Sequence, residues 1–187
     1  MLVDRLLRQG AMTEIVGPLS SGRTSTLTLC LRAVTRRGGL AALVDVDHAF
    51  DPRSAAAAGV DLGRVLWVRA EGRRRSALEA VDLLARCPGF ALVALDVGES
   101  PPRLPLAAAF RLRQAARRSG VALLVLGSRP VVGGAAALSV LTRRDRLAWA
   151  GPGPVPRRLV GMRSGLHVVR KQGAPWPAPV ERLWWTA

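Results

Sequence analysis

The chain has 187 residues, of which 49% are hydrophobic and 22% are charged, and its formal net charge is +15. This length and composition exclude a disordered chain and allow a folded core without a disulfide or metal staple. The two cysteines, Cys30 and Cys87, are too few for a disulfide framework or a four-ligand zinc site. We expect both to be small core residues of a protein in a reducing compartment.

The start of the chain carries no secretory signal pattern, because the first ten residues place charges where the apolar stretch should lie. The longest apolar run, residues 121–126, is far shorter than the roughly 20 residues that span a bilayer. We therefore expect a soluble, cytoplasmic protein with no membrane partner.

Short apolar runs alternate with amphipathic runs along the first two thirds of the chain. Strands are predicted over residues 13–16, 40–46, 65–68, 91–95 and 121–126. Helices are predicted over residues 24–36, 55–58, 76–86 and 106–118. This βαβα order predicts an α/β fold whose central, mostly parallel sheet is flanked by helices.

The alternation changes after Gly127. Residues 133–141 are predicted to form a short helix and residues 146–149 a strand. A loop with three prolines follows at residues 151–156 and excludes regular strand pairing there. Residues 166–170 and 181–185 are then predicted to be closing, antiparallel strands.

The segment GPLSSGRT at residues 17–24 has the spacing of a phosphate-binding loop, G-x-x-x-x-G-K-[ST], between a predicted strand and a predicted helix. In such a loop, backbone N–H groups surround phosphate oxygens, and the helix N-terminus adds a positive dipole. Thr24 is placed to hold Mg²⁺, whereas Arg23 replaces the lysine of the motif. A guanidinium is not equivalent to a compact ammonium there, so the motif indicates a nucleotide fold more strongly than ATP hydrolysis. The candidate loop residues are Gly17, Ser21, Gly22, Arg23 and Thr24.

Several segments in order make the chain resemble the nucleotide-binding core of bacterial RecA recombinases. They are TEIVGPLSSGRT at 13–24, VDVDHAFDP at 44–52, AGVD at 58–61, the strand that ends at Asp96, the glycine pair at 133–134 and VVRK at 168–171. The resemblance covers nearly the whole chain and implies one RecA-like domain over residues 1–187. Residues 1–10 would form a short N-terminal segment, and residues 151–187 the C-terminal strands with a Pro- and Trp-rich end.

The resemblance also implies roles for individual residues. Asp96 would be the Walker B-type acid that holds Mg²⁺ through water. Asp47 stands where RecA has the glutamate that activates water, but it is one methylene shorter and is only a weak candidate base. Further departures are Ser54 for an adenine-stacking tyrosine, Ser128 for a glutamine that senses the γ-phosphate, and Arg170 and Gln172 for two lysines that reach a neighbouring subunit's nucleotide. The pattern predicts a degenerate site with no catalytic residue, no metal and no required cofactor.

The two loops that bind DNA in RecA are short here, at residues 97–105 and 128–134, and we expect no counterpart of the N-terminal helix that links RecA subunits. This pattern of loss is similar to ImuA, an accessory protein of bacterial mutagenesis cassettes. That resemblance implies a non-catalytic part in the SOS response and translesion synthesis. The implied partners are an inactive Y-family polymerase homologue (ImuB) and, as a further candidate, RecA.

The predicted partner surface combines exposed arginine with tryptophan, a favoured interface anchor. Its residues are Arg143, Arg144, Trp176, Trp184 and Trp185. Two alternatives stay open: a nucleotide-dependent switch that holds ATP or ADP with Mg²⁺ and hydrolyses it weakly, and sequence-independent DNA binding through the arginine-rich faces. The sequence leaves self-association open as well. Because 27 of the 28 basic residues are arginine, a GC-rich genome accounts for the skew as readily as selection for arginine does.

Overall fold

The chain forms an eight-stranded sheet with helices on both faces, in a computed structural model that describes residues 2–99, 101–152, 155, 157–171 and 181–186. The strands are β1 Met12–Val16, β2 Leu40–Asp45, β3 Val65–Arg69, β4 Phe90–Asp96, β5 Ala122–Gly127, β6 Leu138–Ala150, β7 Arg158–Lys171 and β8 Glu181–Thr186. The α-helices are α1 Leu2–Leu6, α2 Arg23–Arg36, α3 Pro52–Ala57, α4 Arg74–Arg86 and α5 Leu106–Ser119. Two 3₁₀ turns cover Leu62–Arg64 and Gly133–Ala135.

The strand order across the sheet is β3-β2-β4-β5-β1-β6-β7-β8. The first six strands in that order are parallel, and β7 and β8 add antiparallel ladders at one end. The predicted α/β class with antiparallel C-terminal strands is therefore confirmed. Every residue of β1 and β5 is buried, which explains the unbroken apolar run of β5.

Each face of the sheet has its own apolar core. On one face, Leu27 and Leu31 of α2 pack with strand residues such as Leu124, and Leu6 of α1 joins them. On the other face, α4 and α5 cover a second cluster that includes Leu112. Full burial of one such leucine stabilises the fold by about 1.5–3 kcal/mol. The short segment at residues 1–10 thus contains a helix that contributes to the core.

The helix predicted over residues 133–141 is wrong. Only Gly133–Ala135 forms a 3₁₀ turn, and β6 begins at Leu138. The three alanines before Leu138 favour a helix by propensity, but pairing with β1 buries Leu138 and Val140 in the core. The strand predicted at 146–149 is the far end of this longer β6.

Capping residues in the sequence determine where two of the helices begin or end. Asp51 caps α3, since its carboxylate accepts the N–H groups of Arg53 and Ser54, and Pro52 opens that helix. Gly120 ends α5 in the left-handed conformation, at φ 80°. Within the described ranges, no helix is long and apolar enough to cross a membrane.

Candidate functional site

The carboxyl ends of the parallel strands bring the predicted site residues to one edge of the sheet. Val16, which precedes the phosphate loop, pairs with Gly127, and Asp96 pairs with both Asp45 and Leu126. The loop at residues 17–24 therefore lies beside the end of β4. Open α/β sheets bind their ligands at this edge.

Two glycines shape the loop. The amide of Gly17 donates to the carbonyl of Gly127 at 3.1 Å. A Cβ at Gly17 would lie only 2.9 Å from the carbonyl oxygen of Thr142 and would clash with the hydroxyls of Thr142 and Ser21. Gly22 adopts φ 94° immediately before α2, a conformation that side chains disfavour.

Ser21 ties the loop to β6. Its Oγ lies 2.6 Å from Oγ1 of Thr142, and the Thr142 hydroxyl donates to the carbonyl of Val16 at 3.2 Å. Both side chains are buried. The loop is therefore held in shape by hydrogen bonds within the chain.

Arg23 is buried in the loop, with a relative exposure of 5%. Its Nη1 donates to the carbonyl of Gly17 at 2.6 Å, and its Nη2 forms an ion pair with the carboxylate of Glu99. Its Nε is buried without a hydrogen-bond partner among the described residues. The cation that would face a phosphate is thus neutralised by a carboxylate of the same chain.

Glu99 also forms hydrogen bonds with two other residues that depart from the RecA pattern. Its N–H donates to Oδ2 of Asp47 at 3.2 Å, and its carbonyl accepts the hydroxyl of Ser128. Arg23, Asp47 and Ser128 therefore converge on one residue. Asp47, the weak candidate base, here positions the Glu99 backbone.

Asp96 is buried at the end of β4 and accepts the N–H of Gly98 on Oδ1 at 3.0 Å. Burial raises the pKa of the Asp96 carboxyl, while the Gly98 hydrogen bond and the charge of Arg23 act in the opposite direction. Thr24, the predicted Mg²⁺ ligand, is half-buried at the start of α2. Among the described residues, no three His, Cys, Asp or Glu side chains form a cluster that could hold a metal.

These contacts do not fit a bound nucleoside triphosphate with Mg²⁺. A phosphate at the loop would meet the carboxylate of Glu99, and its natural counter-charge, Arg23, is already paired with that carboxylate. We derive no chemical step through a nucleotide at this site.

Other residues that the RecA resemblance singled out have structural partners. The hydroxyl of Ser54 donates to the carboxylate of Asp51 within the cap of α3. Arg170 donates to the carbonyls of Gly133 and Ala136, the latter at 2.8 Å. Gln172 lies outside the described residues.

The predicted partner residues lie at the antiparallel end of the sheet. Pairing between β1 and β6 ends at Leu141, and the strands continue beyond it as a hairpin arm, defined as residues 143–150 of β6 and 158–165 of β7. Arg143 and Arg144 are exposed on this arm, and Trp149 has a relative exposure of 49%.

The C-terminal tryptophans are described only in part. Trp184 and Trp185 lie in β8, where they pair with Arg163 and Met162 of β7, so their backbone adjoins the hairpin arm. Their side chains, and the whole of Trp176, lie outside the described residues.

Sequence reasoning missed two acidic residues that organise this edge. Glu99 is the single acidic residue between Asp96 and Asp145, and it follows a predicted strand end. Its position as a lone acid in a basic stretch could have marked it as a site residue. Glu14 is buried in β1 and accepts the N–H groups of Val131 and Val132, at 2.6 and 3.0 Å, and the hydroxyl of Ser139 at 3.2 Å. Its polarity inside a buried strand was the corresponding signal.

Comparison with known proteins agrees with this architecture. Residues 6–104, just over half of the chain, match the family described as the RecA N-terminal domain. The chain is similar to protein RecA of Nostoc punctiforme, with 44% identity over 90 residues, which is 48% of this chain and 25% of that protein. It is also similar to RecA of Crocosphaera subtropica, with 42% identity over 90 residues (48% and 26%).

Protein RecA of Prochlorococcus marinus strain MIT 9211 is 43% identical over 88 residues, 47% of this chain and 24% of that protein. The chain thus spans about a quarter of the length of the curated relatives it matches. The matched part contains the phosphate loop, Asp47, Asp96 and Glu99. By sequence and by the arrangement of its strand ends, the chain belongs to the RecA N-terminal domain family.

Proposed function

We propose that this protein is a non-catalytic RecA-like accessory protein of bacterial translesion synthesis, of the ImuA type. It would act by binding an ImuB-like Y-family polymerase homologue and RecA. The observation that carries this proposal is the convergence of Arg23, Asp47 and Ser128 on Glu99. Three positions that serve ATP in the RecA pattern hold the chain's own glutamate instead.

The physical argument concerns charge at the loop. The buried guanidinium of Arg23 has both terminal nitrogens engaged, one by the carbonyl of Gly17 and one by Glu99. Glu99 is 38% exposed, so this ion pair is only partly buried. A phosphate must displace the Glu99 carboxylate before it can reach the Arg23 guanidinium, and this competition supports a scaffold over a nucleotide-dependent switch.

A thermal melt of the full chain with Mg-ATP tests whether the protein binds a nucleotide. A ligand at 100 times its dissociation constant would add about 2.7 kcal/mol of stability. In a domain of this size that corresponds to about 5–11 °C in Tm. We expect the wild-type Tm to stay unchanged, since the loop cation is already paired.

The double variant Arg23→Lys, Glu99→Ala is the matched comparison. It restores the lysine of the motif and removes the competing carboxylate, so we expect it to gain a Tm rise with Mg-ATP. A clear Tm rise in the wild type, together with steady ATP hydrolysis, would contradict the proposal and favour the switch.

The hairpin arm is the surface we propose for the partner. Between residues 138 and 171 the chain has eight basic residues and one acidic residue, Asp145, so this part favours an acidic partner. Exposed apolar side chains lie on the same arm, including Trp149 and Leu159 at 49% and 39% relative exposure. Arginine next to exposed tryptophan and leucine is typical of a protein interface.

Co-purification tests the partner surface. The tagged full chain is co-expressed with the Y-family polymerase homologue and with RecA of the same bacterium, and recovery of each is measured. We expect Arg143→Glu with Arg144→Glu, or Trp184→Ala with Trp185→Ala, to lower recovery at least tenfold.

The matched control changes Arg117 and Arg118 to Glu, because these exposed residues of α5 give the same charge change away from the arm. Equal recovery with all variants would contradict the proposed surface. If the arm variants instead abolish a salt-dependent affinity for DNA and leave partner recovery intact, the DNA-binding alternative would replace this one.

A further inference from the structure

A cavity of about 80 Å³ lies on the opposite face of the sheet from α2 and its phosphate loop. Its wall comes from Leu95 and Val97 at the end of β4, Ala77 and Leu78 of α4, and the loop that leads to α5. It adjoins the nucleotide edge, since Leu95 and Val97 flank Asp96, but no residue of the hairpin arm lines it. The wall is almost entirely apolar.

The loop over this cavity is rigid for two reasons. It holds three prolines, at 101, 102 and 105, whose φ angles are fixed by the pyrrolidine ring. It is also pinned to the segment after β5, since Leu104 donates its N–H to the carbonyl of Val131 at 3.0 Å and Arg129 donates to the carbonyl of Pro101 at 2.9 Å. A preformed pocket loses little conformational entropy when a ligand enters.

The size and wall of the pocket indicate the side chain it takes. About 80 Å³ is well above the roughly 10–15 Å³ that a cavity measured in this way needs to hold one water, and burying an apolar side chain against an apolar wall is favourable. A branched aliphatic side chain such as leucine suits this volume. The apolar surface continues onto α5, where Leu106 and Phe110 lie one turn apart at 67% and 44% relative exposure.

Two arginines at the rim of the pocket give it positive charge. Arg74 and Arg103 line it from two different elements, α4 and the proline loop. Both of these basic side chains adjoin the apolar wall. Cations around an apolar pocket complement a leucine with acidic neighbours.

We infer that this pocket binds the leucine side chain of an acidic segment of a partner protein, with Arg103 contacting a flanking Asp or Glu residue. The inference rests on the proposed function as a protein-binding accessory factor and adds a second docking site to it. A nucleic acid does not suit the pocket, because an aliphatic wall has no group that reads or stacks on a base.

Selection from a random dodecapeptide phage library on the immobilised full chain tests the inference. We expect enriched peptides with a leucine or phenylalanine between acidic residues. A fluorescein-labelled copy of the most enriched peptide is then titrated by anisotropy. Ala77→Leu, which fills the pocket, and Arg103→Glu, which reverses the rim charge, should each weaken its binding at least tenfold.

The controls are Leu83→Ala on the exposed side of α4 and Arg118→Glu on α5, both of which should leave the peptide affinity unchanged. A melting curve of Ala77→Leu reports whether that variant folds, and the surface variant Arg103→Glu keeps the test decisive if it does not. The inference would be overturned if no acidic peptides were enriched. It would also be overturned if both pocket variants bound the peptide as tightly as the wild type does. Loss of single-stranded DNA binding in Arg103→Glu without any effect of Ala77→Leu would overturn it as well.

Failure here is distinguishable from failure of the proposed function. If the polymerase homologue or RecA still co-purifies with the full chain while the peptide test fails, the pocket inference falls and the accessory role stands. If neither protein co-purifies with the wild-type chain, the accessory role itself falls, whatever the peptides show.

Discussion

At the level of single residues, Asp96 is a buried carboxyl group whose protonation affects the stability of the fold. Its pKa is raised above the ordinary value of 3.8, chiefly by burial. A raised pKa in the folded state favours folding at pH values below 3.8, and this contribution is lost as the pH rises through the raised value. At neutral pH the ionised Asp96 therefore costs stability.

We expect Asp96→Asn to raise Tm at pH 7, because the amide oxygen still accepts the Gly98 N–H and no charge is buried. Each kcal/mol gained corresponds to about 2–4 °C in a domain of this size. The gain should shrink as the pH falls through the raised pKa, and it should vanish only well below pH 3.8, where the carboxyl is neutral in both states. Thermal melts of both proteins from pH 4 to pH 8 measure this difference, and a destabilised variant at pH 7 would contradict the burial argument.

Gly17 is a second residue whose surroundings permit a sharp prediction. A Cβ there would meet the backbone carbonyl of Thr142 at 2.9 Å, and a backbone atom cannot move aside cheaply. We expect Gly17→Ala to destabilise the protein by about 1–3 kcal/mol, the usual range for overpacking. Gly134→Ala is the matched control, because its Cβ would come no closer than 4.0 Å to another residue. Chemical denaturation of the two variants compares them directly.

At the level of elements, Glu14 joins three parts of the fold. It lies in β1, and its carboxylate holds the N–H groups of Val131 and Val132 in the segment after β5 and the hydroxyl of Ser139 in β6. This contact places the start of β6 beside β1. It also holds the segment to which the proline loop of the apolar pocket is pinned.

We expect Glu14→Leu to destabilise the fold by about 3 kcal/mol, since two buried N–H groups lose their acceptor. The corresponding drop in Tm is about 6–12 °C. Glu14→Gln should lose less, because its amide oxygen still accepts these N–H groups. Hydrogen exchange should show faster exchange at the amides of Val131 and Val132 in the leucine variant, and unchanged protection there would refute the assigned role.

At the level of the whole molecule, the two cysteines report on global opening. Cys30 is fully buried in α2, and burial raises the pKa of its thiol to about 12, whereas Cys87 is exposed at the end of α4. The thiolate is the reactive form, so a folded chain should offer one reactive thiol. The sequence predicted both cysteines to be core residues, and for Cys87 that prediction is wrong.

A thiol-reactive dye at pH 8 should therefore label one thiol quickly and the second only as fast as the protein unfolds. The variant Cys87→Ser should show the slow phase alone. Labelling kinetics in increasing denaturant measure this, and rapid modification of Cys30 in that variant would show that α2 opens locally.

The sequence by itself determined the fold class, the loop at residues 17–24 and the kinship with RecA. These features depend on local patterns: apolar strand runs, helical periodicity and a fixed glycine spacing. The same patterns led to a helix over residues 133–141, because alanine propensity is visible in the sequence and pairing with β1 is not. The ends of β6 and β7 were missed for a similar reason, since the polar residues of the hairpin arm weaken the strand signal.

Only the tertiary structure decided what the loop contacts. Arg23 and Glu99 are 76 residues apart, and the carboxyl ends of parallel strands bring them together. The apolar pocket likewise joins α4, β4 and the proline loop, which are separate in the chain. Secondary structure follows from neighbours along the sequence, but electrostatic pairing and cavity shape follow from neighbours in space, and these exist only once the sheet has formed.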